Sequence, residues 1–355
     1  MTTDNSTIVD ALRDVTDPDL DEDIVSSGLV TDVSLDAETA RVELGLNAPH
    51  APTESAIADD VRDTIRSLGL TPDLRVAEAT HNDDVFPNVT NVVAVASGKG
   101  GVGKSTVATN LAVGLADRGA RVGILDADVY GPNVPRMLDV DEEPVVDHDG
   151  ETDEIIPPVS HGVSVMSVGL LVGEDEPVAW RGAMAHNVLS NLFDDVAWGP
   201  LDYLVVDLPP GTGDVQMTIL QGLPVTGAVV VTTPQGVATD DTRRAMRMFA
   251  EYQTSVLGVV ENMSGFVCPD CGGSHDVFGD GGGRELAAGV DVPYLGDIPL
   301  DPAVRDASDD GRPAVLTDEV AGEAFRNLTG RVADSVGQLN RWRRANSDER
   351  RSSAR

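Results

Sequence analysis

Lysine is nearly missing from this chain. Among 355 residues only Lys99 and Lys104 are lysine, against 23 arginines in the 25 basic side chains. A lysine is a compact point charge on a flexible stem, whereas guanidinium is a broad planar fork, so the two that remain mark work arginine cannot do. Cysteine is as scarce. Cys268 and Cys271, three apart, exclude a disulfide framework and suit a reducing compartment. No apolar run approaches the roughly 20 residues that span a bilayer. Met1-Thr2-Thr3-Asp4-Asn5 has neither the basic region nor the apolar core of a signal peptide, so a cytoplasmic location is expected. Positive charge is short too: 60 acidic residues against 25 basic give a net charge of −35, which argues against nucleic acid as a partner. Such self-repulsion is tolerable where salt screens it, the Debye length falling to about 3 Å at molar salt. The acidity and the loss of lysine fit a salt-accumulating cytoplasm.

Both lysines lie in one stretch, Ala96-Ser97-Gly98-Lys99-Gly100-Gly101-Val102-Gly103-Lys104-Ser105-Thr106. It fits G-x-x-x-x-G-K-[ST], with Gly98, Gly103, Lys104 and Ser105 at the required places. The β-branched run Val92 to Val95 before it reads as a buried strand. Val107 to Arg118 after it, with Leu111 and Leu115 four apart, reads as a helix. Strand, glycine loop and helix are the context of a phosphate-binding loop, in which backbone N–H groups and the helix N-terminus surround phosphate oxygens. Lys104 is then expected at the β- and γ-phosphates and the Ser105 hydroxyl on Mg²⁺. Lys99 needs a separate account.

Residues 1–80 read as a small α/β module. Ile8, Ala11, Leu12 and Val15 follow a helical stripe, as do Ile57, Val61, Ile65 and Leu68. Val30 to Leu35, Arg41 to Leu46 and Leu74 to Ala77 read as strands. Residues 81–91, with Asp83, Asp84 and Pro87, read as a linker. From residue 92 to 344 strands alternate with helices, which predicts a doubly wound, mainly parallel sheet covered on both faces. Its further strands are expected at Val122 to Leu125, Val163 to Val168, Tyr203 to Val206, Ala228 to Val231 and Val256 to Val260. The acidic segment Asp139 to Ser160 is expected to be a surface excursion. A final helix is expected from Glu319 to Arg344, followed by a disordered polar tail over 345–355.

Three aspartates follow strand candidates, where such a sheet places its ligands. Asp207 ends Leu204-Val205-Val206-Asp207, the form of a Walker B aspartate that helps to hold Mg²⁺. Asp126 and Asp128 follow the strand after the phosphate-loop helix; one could hold the metal's water and the other position the attacking water. Pro209-Pro210-Gly211-Thr212-Gly213-Asp214 has the stiffness and the bare backbone of a loop that touches only the γ-phosphate, although a plain tight turn reads the same way. Cys268-Pro269-Asp270-Cys271 could chelate a metal or one cluster face, form a redox dithiol, or do nothing. Two thiolates are half of a four-thiolate site, which a homodimer could complete. His275 could be a third ligand, or simply a solvated loop histidine.

With these residues in view the chain resembles the Mrp/ApbC family of P-loop ATPases, iron–sulfur cluster carriers within the MinD/ParA-type class. That class carries an extra lysine after the first glycine of the loop, which Gly98-Lys99-Gly100-Gly101-Val102-Gly103-Lys104-Ser105-Thr106 matches. Asp126-Ala127-Asp128-Val129-Tyr130-Gly131-Pro132, Trp180-Arg181-Gly182, Trp198 through Asp214, Glu261-Asn262-Met263, Cys268 to Gly272, Phe278-Gly279 and Ile298-Pro299-Leu300-Asp301 also match, over about residues 90–315. The resemblance implies ATP sandwiched in a homodimer, with Lys99 reaching the partner's nucleotide. It assigns water activation to Asp128, the Mg²⁺ shell to Asp126 and Asp207 beside Ser105, and adenine recognition to Asn262, while Gly211 keeps the reading of a bare backbone N–H near a γ-phosphate. It places a bridging [4Fe-4S] cluster on Cys268 and Cys271 of each subunit, for delivery to apo-proteins. Residues 1–80 resemble the small iron–sulfur-assembly domain often fused ahead of this ATPase. That domain usually has a cysteine before a proline where this chain has Ala51-Pro52, so docking to partner proteins is expected there in place of thiol chemistry. A positioning ATPase of the same class would need a basic surface or an amphipathic C-terminal anchor. The net charge opposes the first, and Arg341-Trp342-Arg343-Arg344 with a polar tail makes a weak version of the second. An ATPase with structural zinc at the cysteines is the other alternative.

Overall fold

The computed structural model describes residues 4–77, 85–148, 154–171, 192–193, 195–268 and 273–353. Trp180, Arg181, Gly182 and Cys271 lie outside the described residues. Contacts divide the chain into two units, residues 1–81 with 333–355, and residues 82–332.

In the smaller unit, helix α1 (Asn5–Leu12) starts at Asp4, whose carboxylate accepts the Thr7 N–H. Ile8 and Leu12, one turn apart, point inward. Strands β1 (Val30–Asp36) and β2 (Thr39–Leu44) pair antiparallel, and β3 (Thr71–Val76) joins β2 in parallel. A parallel return needs a crossover, and helix α2 (Pro52–Ser67) supplies it. Ile57, Val61 and Ile65 of α2 close one core with Ile8, Leu12, Ile24, Val42 and Leu44. Ala51, where the resemblance expects a cysteine, is fully buried just before α2.

The last helix, Val320–Ser353, corrects the expected domain boundary. It continues past Arg344 through most of the segment expected to be a disordered tail, and its residues from Ala333 group with the N-terminal module and not with residues 92–332. The reason is ionic. Arg341 is 1% exposed, with Nε 2.7 Å from Asp17 Oδ2, Nη1 3.1 Å from Glu54 Oε1, and Nη2 on the Asp19 carboxylate. Asp334 accepts the Thr53 N–H at 2.7 Å, giving α2 the N-terminal acceptor that Ala51 cannot offer. Gly337 is the helix residue facing this cluster; a Cβ there would stand 2.8 Å from Glu54 Oε1.

The larger unit holds a nine-stranded sheet among the described residues. Strands β4 (Val89–Ser97), β5 (Val122–Asp126), β6 (Val163–Ser167), β7 (Leu201–Asp207), β8 (Gly227–Thr232), β9 (Val256–Val267) and β10 (Tyr294–Leu300) are all parallel, in the order β6-β5-β7-β4-β8-β9-β10. Two-residue antiparallel strands, Val159–Ser160 beside β6 and Ser274–His275 beside the end of β9, finish the edges. Strands buried on both faces read as continuous Val/Ile/Leu runs, which is why β4, β7 and β8 were plain in the sequence. Helices α3 (Lys104–Asp117), α4 (Asp214–Gly222), α5 (Gly236–Glu251) and α6 (Gly282–Gly289) connect them. β9 outruns its expected end at Val260, and Val168 opens a short helix instead of ending β6. Within the expected excursion, Val145–Asp147 and Glu154–Ile156 form an exposed hairpin. Among the described residues no helix is long and apolar enough to cross a membrane.

Removing the cation from a buried ion cluster costs about 3–5 kcal/mol, because the carboxylates left behind stay desolvated. Arg341→Met should therefore destabilise the N-terminal unit by that amount in denaturant unfolding at neutral pH. Burial pushes the Glu54 carboxyl above its ordinary value, against the pull of the Ala48 N–H and Arg341. A raised carboxyl costs the fold stability as pH climbs past its ordinary range of about 4.3, and the cost lifts on acidification. The deficit of the variant should shrink as the pH is lowered toward that range.

Candidate functional site

Strand β4 ends at Ser97 and α3 begins at Lys104, and Gly98 to Gly103 cross between them. Gly101 and Gly103 hold φ of +80° and +81°, where a Cβ is strained. A Cβ on Gly98 would run into the Asp241–Thr242 backbone of α5, so glycine is what lets the loop lie so close. Nothing stands within 4 Å of the Cβ positions of Gly100 and Gly101. The loop is thus held at its start and open in its middle, beside the N–H groups that begin α3.

Register brings the acids together. Across the parallel strands Ser167 is level with Asp126, and Asp126 with Asp207. Lys104, 6% exposed, places Nζ 2.6 Å from Asp207 Oδ1, 3.6 Å from Asp128 Oδ2 and 3.4 Å from Ser105 Oγ. Asp126 is fully buried; its Oδ1 accepts the Asp128 N–H and its Oδ2 accepts the Val134 N–H and the Ser167 hydroxyl. Asp128 Oδ1 in turn accepts the Tyr130 N–H at 3.2 Å. Asp207 Oδ2 is buried without a hydrogen-bond partner among the described residues. Burial raises the Asp126 carboxyl, and the charge of Asp207 raises it further. Burial raises Asp207 as well, opposed chiefly by Lys104. Three carboxylates facing one ammonium leave the site short of positive charge.

Gly211 follows this strand at φ +91°, its N–H donating to Ser97 O at 3.0 Å and its Cα side open. Thr106 O and Val102 O are both engaged by amides: Asn110 Nδ2 donates to the first at 2.9 Å, and Asn262 Nδ2 to the second at 2.9 Å. Lys99 is half-exposed, with Nζ 3.5 Å from Gln235 Oε1. The structure therefore gathers Gly98 to Thr106, Asp126, Asp128, Asp207, Gly211 and Asn262 around one loop. Cys268 stands apart, just past the end of β9, half-buried, its N–H donating to Gly273 O at 2.9 Å. His275 is exposed, its ring centroid 6.5 Å from that of Phe266. Among the described residues no group of three or more His, Cys, Asp or Glu side chains forms a ready metal cage. Mg²⁺ is ordinarily held by one or two carboxylates together with a ligand's phosphates. Asp207 Oδ2 is a buried acceptor of the right kind.

Sequence reasoning passed over Ser167 and Gln235. Ser167 ends a strand level with Asp126, so the strand-end rule that found the aspartates reaches it too. Gln235 has no such signal; its relation to Lys99 exists only in the fold.

The family model for NUBPL iron-transfer P-loop NTPases matches residues 88–333, and that for iron–sulfur cluster assembly proteins matches residues 5–77. The iron–sulfur cluster carrier protein of Deinococcus radiodurans is 44% identical over 338 residues, covering 94% of this chain and 95% of its own. That of Escherichia coli is 44% identical over 266 residues, covering 74% and 72%. Among solved structures, a nucleotide-binding protein of Archaeoglobus fulgidus in complex with ADP is 37% identical with a TM-score of 0.57, covering 66% of this chain and 93% of that one. The cell division ATPase MinD of Pyrococcus furiosus is 27% identical with a TM-score of 0.51, covering 69% and 98%. With the loop, the aspartates and the parallel sheet in place, this chain belongs to the family of iron-transfer P-loop NTPases that carry iron–sulfur clusters.

Proposed function

We propose that the chain is an ATP-dependent carrier of iron–sulfur clusters that works in the cytoplasm as a homodimer. A [4Fe-4S] cluster would be its cargo, held by Cys268 and Cys271 of each subunit and passed to apo-proteins with the help of other assembly factors. The observation that carries this reading is the buried Lys104–Asp207–Asp128 cluster beside an open glycine loop, in the same unit as Cys268.

ATP is the substrate of the loop. Its phosphates draw Lys104 off Asp207, because the ammonium is within reach of both and the phosphates carry more charge. Ser105 and the orphaned oxygen of Asp207 are the groups that would hold Mg²⁺, with Asp126 holding the Asp128 loop behind them. When bound, the ion supplies charge neutralisation at the β- and γ-phosphates. Asp128 orients the attacking water, whose oxygen bonds to the γ-phosphorus as the bond to the β,γ-bridging oxygen breaks, giving ADP and inorganic phosphate. The Gly211 N–H exchanges Ser97 O for a γ-phosphate oxygen and returns when that phosphate leaves. Lys99 exchanges Gln235 for the partner subunit's nucleotide, and Asn262, its Nδ2 spent on Val102 O, keeps its carbonyl for the adenine amino group. Two thiolates from each of two subunits complete a four-thiolate site. Docking of recipient proteins falls to the N-terminal unit.

Lys104→Ala should lower ATP turnover at least about a hundredfold, the cost of losing one preorganised charge at the transition state; undiminished hydrolysis would dismiss the loop assignment. After anaerobic reconstitution with iron and sulfide, Cys268→Ala should lose the visible absorption and bound iron of the parent protein. A parent that stays colourless and holds zinc would replace the cluster with a structural site. Light scattering of Asp128→Asn with Mg·ATP in concentrated salt should give twice the monomer mass, and a strict monomer would refute the shared nucleotide.

A further inference from the structure

Glu261 sits beside Asn262 on β9 and is 1% exposed. A carboxylate at that depth needs donors, and three are present. The Ser264 hydroxyl donates to Oε1 at 2.7 Å, the Gly281 N–H to Oε1 at 3.3 Å and the Gly283 N–H to Oε2 at 2.5 Å. Gly281 precedes α6 and Gly283 lies in its first turn, so the carboxylate meets the positive end of that helix. Between Glu261 and Gly281 the chain makes the ribbon that carries Cys268, pairing Phe266 with His275 and Val267 with Ser274. The last residues of β9 form one arm of this ribbon, and the chain after its other arm comes back to the carboxylate of Glu261. That side chain is the clasp at its neck.

The next residue of the same strand is tied to the nucleotide loop. Asn262 Nδ2 holds Val102 O, and a Cβ on Gly103 would collide with that same amide. Just beyond, Met263 takes φ +59° and the pairing of β9 with β10 loses register between Asn262 and Phe266, so the strand bends where loop contact gives way to ribbon. A second path runs in parallel. A Cβ on Gly282 would collide with Pro234 O, and one on Gly279 would lie 3.7 Å from Pro234 Cβ. Pro234 precedes Gln235, the acceptor for Lys99 Nζ. The segment Gly279–Gly283 therefore lies against Pro234, next to the acceptor of Lys99, and against Glu261, next to the donor to Val102 O.

We propose that Glu261 is a positioning residue, through which the occupancy of the glycine loop sets the pose of the cysteine ribbon. A nucleotide that moves Val102 or recruits Lys99 shifts Asn262 or Gln235, and both press on the neck that Glu261 clasps. Glu261→Gln keeps one acceptor but turns an NH₂ group toward a backbone N–H, which loosens the clasp while leaving the nucleotide contacts alone. The proposal rests on the reading that the loop binds nucleotide and that Cys268 handles the cluster.

The test uses the reduced, full-length protein without cluster. Alkylation of Cys268 by iodoacetamide is followed by peptide mass spectrometry with and without Mg·ADP, and Mg·ADP affinity by calorimetry. In the parent protein Mg·ADP should change the alkylation rate about fivefold or more, the low end of ordinary site-to-site coupling. Glu261→Gln should keep its affinity for Mg·ADP and lose that response. Ser264→Ala, which removes one of the three donors, should lose part of it, and carries the test if Glu261→Gln does not fold. A parent rate indifferent to Mg·ADP, or variants responding as fully as the parent, would overturn the proposal. Loss of Mg·ADP binding in Glu261→Gln would overturn it too, by moving Glu261 into the nucleotide site. Failure of the parent to take up iron and sulfide would remove the cluster reading while leaving a nucleotide-responsive Cys268 intact, so the two can fail separately.

Discussion

An ammonium group taken out of water must be compensated where it is buried, and Lys104 is compensated twice, by Asp207 and by Asp128. The pairing stabilises the loop. On the proposed reading, phosphates would compete with these carboxylates for Lys104, so substrate binding and rearrangement of the site would be one event. Arginine could not do this. Its fork would grip both acids in a fixed plane, whereas a point charge on a flexible stem can leave one oxygen for another. In a chain that otherwise uses arginine for its positive charge, the retention of lysine here has a physical cause.

The parallel sheet is what makes that pairing possible. Every strand of its central run points the same way, so all their C-terminal ends open on one edge, and pairing register alone aligns Ser167, Asp126 and Asp207. Ser97 ends β4 beside them and the Glu261-Asn262 pair lies along β9 on the other side. Burial at that edge, with neighbouring acids adding to it, pushes the Asp126 and Asp207 carboxyls upward. The same edge leaves Asp207 Oδ2 without a donor among the described residues, where the proposed Mg²⁺ would sit.

The loop and the strand-end aspartates were legible in the sequence because each depends on local pattern: a glycine spacing, an apolar run, an acid at its end. The central strands were legible for the same reason. The contacts of Glu261 and Gln235 were not legible, since their partners are Gly281, Gly283 and Lys99, and only the fold shows who meets whom. The end of the last helix misled for a different reason. Arg341 stands in a run of basic and polar residues that reads as solvent-facing, yet it is among the largest fully buried side chains of the protein. What buries it is a set of acids more than 280 positions away, a distance over which periodicity says nothing.

That distance has a bearing on biosynthesis. Asp17 and Arg341 are separated by 324 residues, so a ribosome adding about 5–20 residues per second releases the first on the order of tens of seconds before the second. Throughout that interval the nascent N-terminal module carries Asp17 and Glu54 without their counter-ion, and its α2 lacks Asp334. The module made first therefore gains these contacts only once the last helix, with Asp334 and Arg341, has been made.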